Sequence, residues 1–175
     1  MTAAGALRKY IIPLLAAAIA LSVYMRSGGE TAKAAAVLGF TPEGGQVVRS
    51  EDTHGGWHGD GHRFIVIDFG AEDGRALAAQ LEASETWKPL PFDRTLTALA
   101  YGLREGPRQT GPFVTGRGGS ALLPAIEKGH YFFKDRHAEA NSDSGADLLS
   151  RVSMNFTLAV FDAAANRLYY YELDT

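Results

Sequence analysis

Sixteen uncharged residues in a row, Tyr10 to Met25, constrain this chain more than any other feature. Such a run has to be buried in a core, held in a membrane or removed. Arg8 and Lys9 stand before it, and Arg26 ends it. Its centre, Ile11 to Leu21, is almost wholly apolar and shows no amphipathic period, which argues against a core helix. Positive residues followed by an apolar run make a secretory signal, and they keep the N-terminus on the cytoplasmic side. A helix of that length spans roughly 24 Å, short of the ~30 Å hydrocarbon core. Two readings follow: a signal peptide that is cleaved, or a short membrane anchor that is kept. Ala32-Lys33-Ala34 and Ser27-Gly28-Gly29 both place small residues where a signal peptidase needs them.

The expected organisation is therefore residues 1–26 as signal or anchor, 27–36 as a small polar linker, and 37–175 as one extracytoplasmic domain. About 140 residues is the ordinary size of a single domain with its own core. The chain has no cysteine, which excludes disulfides, thiolate metal sites, a cysteine nucleophile and a lipid-modified N-terminal cysteine. Net charge is −3 and no basic stripe follows Lys9, so nucleic acid is not an expected partner.

Within the domain, Gln46 to Asp52 reads as a strand and Phe64 to Phe69 as a stronger one, joined as a hairpin across a glycine-rich turn. Residues 72–84 read as a helix with Asp73 as its N-cap and Leu77 and Leu81 on one face. A second helix follows Asp93, with Leu96, Leu99 and Ala100 on one face and Gly102 as its stop. Arg104 to Ser120 is glycine- and proline-rich and reads as a loop, with a short strand at Phe113-Val114-Thr115. His130 to Lys134 is a strand, Ala138 to Ala146 a polar loop, and Asp147 to Arg151 a helical turn. Phe156 to Phe161 and Arg167 to Leu173 form a second hairpin, apolar on both faces. The expected fold is α+β: a mainly antiparallel sheet of about five strands, two helices packed on one face, and an N-terminal hydrophobic helix before it.

The densest constellation for chemistry is Asp52-Thr53-His54-Gly55-Gly56-Trp57-His58-Gly59-Asp60-Gly61-His62. His54, His58 and His62 recur every fourth residue, and with Asp60 they could hold zinc or another divalent metal. The glycines would let the side chains converge. The competing reading is a tight hairpin with Asp60-Gly61 at the turn and solvated histidines, since no closed zinc motif and no helical His-Glu-x-x-His pattern is present.

A second group, Lys134-Asp135-Arg136-His137, ends a strand. There Asp135 and His137 would share a face and could orient a general base, or form a surface ion-pair cluster. Gly-x-Ser-x-Gly is absent, so a serine hydrolase lacks its elbow. Asn141 to Asp147 departs from a calcium loop, and Gly116-Arg117-Gly118-Gly119-Ser120 departs from a phosphate loop.

The stretches Asp52–Phe69, Trp87–Pro91, Gly129–His137 and Asn155–Thr175 resemble those of small uncharacterised exported proteins of Gram-positive bacteria. That resemblance implies an extracytoplasmic location and assigns no catalytic residue. Two functions are expected in competition. One is a non-enzymatic module that contacts the membrane through its N-terminal segment and binds an envelope component or protein partner. The other is a metal-dependent protein, in the form of a hydrolase, built on the 52–62 loop.

Overall fold

The computed structural model describes residues 28–55, 59–141 and 148–175. The apolar run Tyr10–Met25 and His58 lie outside them. No helix among the described residues is long and apolar enough to cross a membrane.

Helix α1 covers residues 28–38. This stretch differs from the linker expected at 27–36. Its small residues are mostly alanines, the best helix formers, and Ala34, Ala35 and Leu38 are buried. Strand β1 (Gln46–Asp52) and β2 (Gly61–Asp68) form the expected hairpin. Helix α2 (Ala71–Glu82) starts earlier than expected, with Gly70 rather than Asp73 at the N-cap; Asp73 and Glu72 instead place negative charge in the first turn. Strand β3 (Lys88–Pro89) is two residues long. Helix α3 (Arg94–Tyr101) is capped by Asp93, whose carboxylate accepts from the Leu96 amide at 2.8 Å, and it stops at Gly102 as expected.

The expected loop 104–120 instead begins with a small hairpin, β4 (Leu103–Glu105) and β5 (Arg108–Thr110). Phe113–Thr115 forms no strand; Thr115 makes a single bridge to Ala121. Strand β6 (Gly129–Asp135) runs directly into helix α4 (Arg136–Asn141), where a polar loop was expected from Ala138. A 3₁₀ turn at Leu148–Ser150 precedes β7 (Phe156–Asp162) and β8 (Arg167–Asp174).

The main sheet has six strands, one more than expected, in the order β1-β2-β8-β7-β6-β3, and every pair is antiparallel. Both edges are blunted. β3 is short and carries Pro89, while β1 has a bulge between Val47 and Arg49 and ends on Glu51 and Asp52.

The helices do not share one face. Leu77 and Leu81 of α2 join Leu38 of α1, Ile65, Ile67, Phe132, Phe161, Leu168 and Tyr170 in one core. Leu96, Leu99 and Ala100 of α3 pack on the other face with Phe64, Val66, Tyr131, Phe156, Leu158 and Tyr171. The reason is in β2, β7 and β8, where consecutive residues are buried on alternate sides, so a single helical layer would leave half of that apolar surface in water. Strand β8 is central and buried on both faces, and it carries the C-terminus to the sheet's end.

Candidate functional site

The loop end of the β1–β2 hairpin brings together residues from four parts of the chain. Asp52 pairs with Arg63 on the last ladder rung. Thr53 continues the contact: its amide donates to the His62 carbonyl at 2.8 Å, and its hydroxyl accepts from the His62 amide at 2.8 Å. Gly61 makes this approach feasible. Its φ is +156°, and a Cβ there would lie 2.6 Å from the His54 backbone.

His62 follows the alternation of β2 and faces the α3 side, where only 8% of it is exposed. Its ring stacks on Tyr171 with centroids 5.6 Å apart. Nε2 lies 3.3 Å from Glu51 Oε1, and Nδ1 lies 3.1 Å from Thr53 Oγ1. Tyr171 reaches the carbonyls of Phe113 and Thr115, and burial pushes its phenol up to about 12.

His54 turns the other way. Nδ1 lies 2.8 Å from Asp52 Oδ1, and Nε2 lies 3.2 Å from Asp174 Oδ2. Asp52 and Asp174 alternate onto the face of α1 and α2, opposite His62. Of the expected metal set, His54 and His62 thus point to opposite faces, each with both ring nitrogens against protein partners. Asp60 is exposed, and His58 lies outside the described residues. Among the described residues, no three histidine, aspartate or glutamate side chains are arranged to hold a metal ion.

The second expected group joins the first through β8. Arg136 Nη1 donates to Asp174 Oδ1 at 2.9 Å, and Nη2 donates to the carbonyls of Phe156 (3.2 Å) and Leu173 (3.1 Å). Asp135 does not orient His137, because the strand ends at Asp135 and the helical backbone of α4 removes the shared face. It caps α4 through the Ala138 amide at 3.0 Å and pairs with Arg151 at 2.6 Å.

Two carboxyls in this network titrate low. Burial works upward on Glu51, but hydrogen bonds and charge from Arg49 and His62 outweigh it. For Asp52, burial likewise works upward, and bonds from His54 with the charge of Arg63 outweigh it. The arrangement is chemically suited to holding the sheet end closed. Thr53 is the hydroxyl nearest His62, but its oxygen is already taken up by the His62 backbone.

Two open recesses flank the sheet. On the α3 face, a cleft of about 310 Å³ runs along β6 between α3 and the 3₁₀ turn. Tyr131, Phe133 and Leu96 supply its apolar wall, and Asp93, Asp135 and Thr95 its polar rim. Burial raises the Tyr131 phenol, and the charge of Asp93 adds to this. On the opposite face, a groove of about 320 Å³ beside α1 has Ile65 and Tyr170 in its lining, with Lys33, Arg63 and Glu172. Sequence reasoning did not reach Glu51, Arg151, Asp174 or the cleft. Asp174 is 120 positions from His54, and no local pattern marks such a pair.

No protein-family model, curated protein or solved structure matches the chain.

Proposed function

We propose that this chain is a non-enzymatic, extracytoplasmic binding module, carried outward by residues 7–25, that docks an envelope component or a protein partner in the cleft along β6. One observation carries the choice of binding over catalysis. The ring nitrogens of His54 and His62 are committed to carboxylates and to Thr53, so they brace the sheet end instead of facing a substrate. The cleft supplies what a recognition site needs, an aromatic and aliphatic wall with a few convergent polar groups in about 310 Å³. The apolar run behind two basic residues supports the extracytoplasmic setting.

The test is saturable binding of solubilised envelope material to the immobilised full chain, compared with Thr95→Arg, which puts a long side chain into the cleft. Binding abolished by Thr95→Arg, with unfolding unchanged, is the expected result. Binding indifferent to Thr95→Arg would remove the cleft from the proposal, and turnover of a hydrolase substrate panel would overturn the non-enzymatic reading.

A further inference from the structure

Strand β6 is covered unequally on its two sides. On one side β7 pairs with its whole length, Gly129 to Asp135. On the other, β3 pairs only with His130 and Tyr131, and the Leu90 amide donates to the Gly129 carbonyl at 3.0 Å. In an antiparallel ladder, the main-chain groups of alternate residues point to the same side. The Gly129 carbonyl points to β3, while the Lys128 carbonyl accepts from Ala163 on the β7 side. The amide and carbonyl of Phe133 therefore point outward, past the end of β3. Among the described residues, nothing bonds to them. The chain before β3 turns off this line. The Thr86 amide donates to Ser84 Oγ at 3.3 Å, and Trp87 is drawn into the core of α2, where its indole N–H donates to the Leu38 carbonyl at 3.0 Å.

This open edge borders the cleft. Tyr131, Phe133 and Asp135 alternate onto the α3 face and line it, with Phe133 half-buried and its ring 6.0 Å from that of Phe156. Main-chain groups at a strand edge and side-chain space beside it are met together by one kind of ligand, an extended polypeptide. A glycan or a lipid carries no matching repeat of donor and acceptor. The charges in the lining add a direction. Asp93 and Asp135 are engaged as helix caps, on the Leu96 and Ala138 amides. Lys88 is exposed and pairs with no carboxylate among the described residues.

We infer that the cleft takes an extended peptide segment of a protein partner, added antiparallel to β6 as a strand in line with β3. The Phe133 amide and carbonyl bond its main chain, and alternate side chains enter the cleft. A strand of that direction brings its C-terminal end to Lys88, which pairs with a carboxylate there. The inference rests on the reading above that the cleft is the docking site.

A synthetic heptapeptide library with free C-termini is panned against the immobilised full chain, and the tightest binder serves as the probe. Amide exchange at Phe133 should slow by at least about tenfold on binding, with Phe132 and Lys134 unchanged because β7 already pairs them. N-methylation of the peptide residue opposite Phe133 should abolish binding, as should Thr95→Arg in the protein. Lys88→Met should weaken it, and amidating the C-terminus or replacing an acidic side chain tells which carboxylate Lys88 meets. Binding lost in Thr95→Arg with Phe133 exchange unchanged on binding would overturn strand addition and leave the cleft reading intact. Envelope material held in a Thr95-dependent way, with no peptide selected, would overturn the peptide class alone. Binding untouched by Lys88→Met would overturn the direction. Concentration-dependent dimers with Phe133 protected and no peptide present would put a second copy of the chain in the peptide's place.

Discussion

His54 and Asp174 stand 120 positions apart in the chain and 3.2 Å apart in space. Through Asp174 the contact passes to Arg136, so the β1–β2 hairpin, the end of β8 and the start of α4 are held as one unit. The residues that composition and spacing single out as reactive are, in the fold, the ties between these segments.

Arg136 is the centre of that unit. It supplies hydrogen bonds to two main-chain carbonyls and to both Asp174 oxygens. Arg136→Met should destabilise the fold by about 2–3 kcal/mol, because the carbonyls and the carboxylate lose a charged donor. Urea unfolding should show a lower midpoint with an unchanged slope. An unshifted midpoint would mean that the clamp contributes nothing.

The low-titrating carboxyls set a direction in pH. The folded values of Glu51 and Asp52 lie below their ordinary values of 4.5 and 3.8. Their contribution to stability is therefore fully present above those ordinary values. It is lost as pH falls through the folded values, since the unfolded chain then binds protons more readily. Asp52→Asn should flatten the acid limb of a stability–pH curve and leave the limb near neutrality parallel to that of the parent chain. A steeper acid limb in the variant would contradict this sign.

Leu81 and Leu99 are about 1% and 0% exposed and lie in cores on opposite faces of the sheet. Leu81→Ala and Leu99→Ala should each cost about 2–5 kcal/mol by opening a cavity. The cores share no side chain across the sheet, so in a denaturant series the double variant should equal the sum to within about 0.5 kcal/mol. Strong coupling would indicate that the two helices touch.

The histidines offer a direct check on metal. With His54 and His62 on opposite faces, zinc and chelator should both leave the unfolding midpoint of the full chain unchanged. His62→Ala should lower stability by about 1–3 kcal/mol through the lost imidazole contacts to Glu51 and Thr53 and the lost stacking on Tyr171. One tightly held ion in native mass spectrometry, lost in His58→Ala, would restore the metal reading.

The sequence by itself determined the elements whose signal is local. Alternating apolar residues mark β2, β7 and β8, and Leu77/Leu81 and Leu96/Leu99 mark two helix faces. Asp93 and Gly102 bound α3 because capping acts within one turn. The basic-then-apolar order of residues 8–25 is likewise a property of consecutive residues. Tertiary structure alone decided which face each helix covers, because the same amphipathic stripe fits either side of a sheet that is apolar on both. It turned the alanine-rich 28–38 segment into α1 by offering Ala34 and Leu38 a core. It also made His54 and His62 into braces. Their partners Asp174, Glu51 and Tyr171 are brought to them by strand pairing, and pairing between distant strands leaves no mark in the local order of residues.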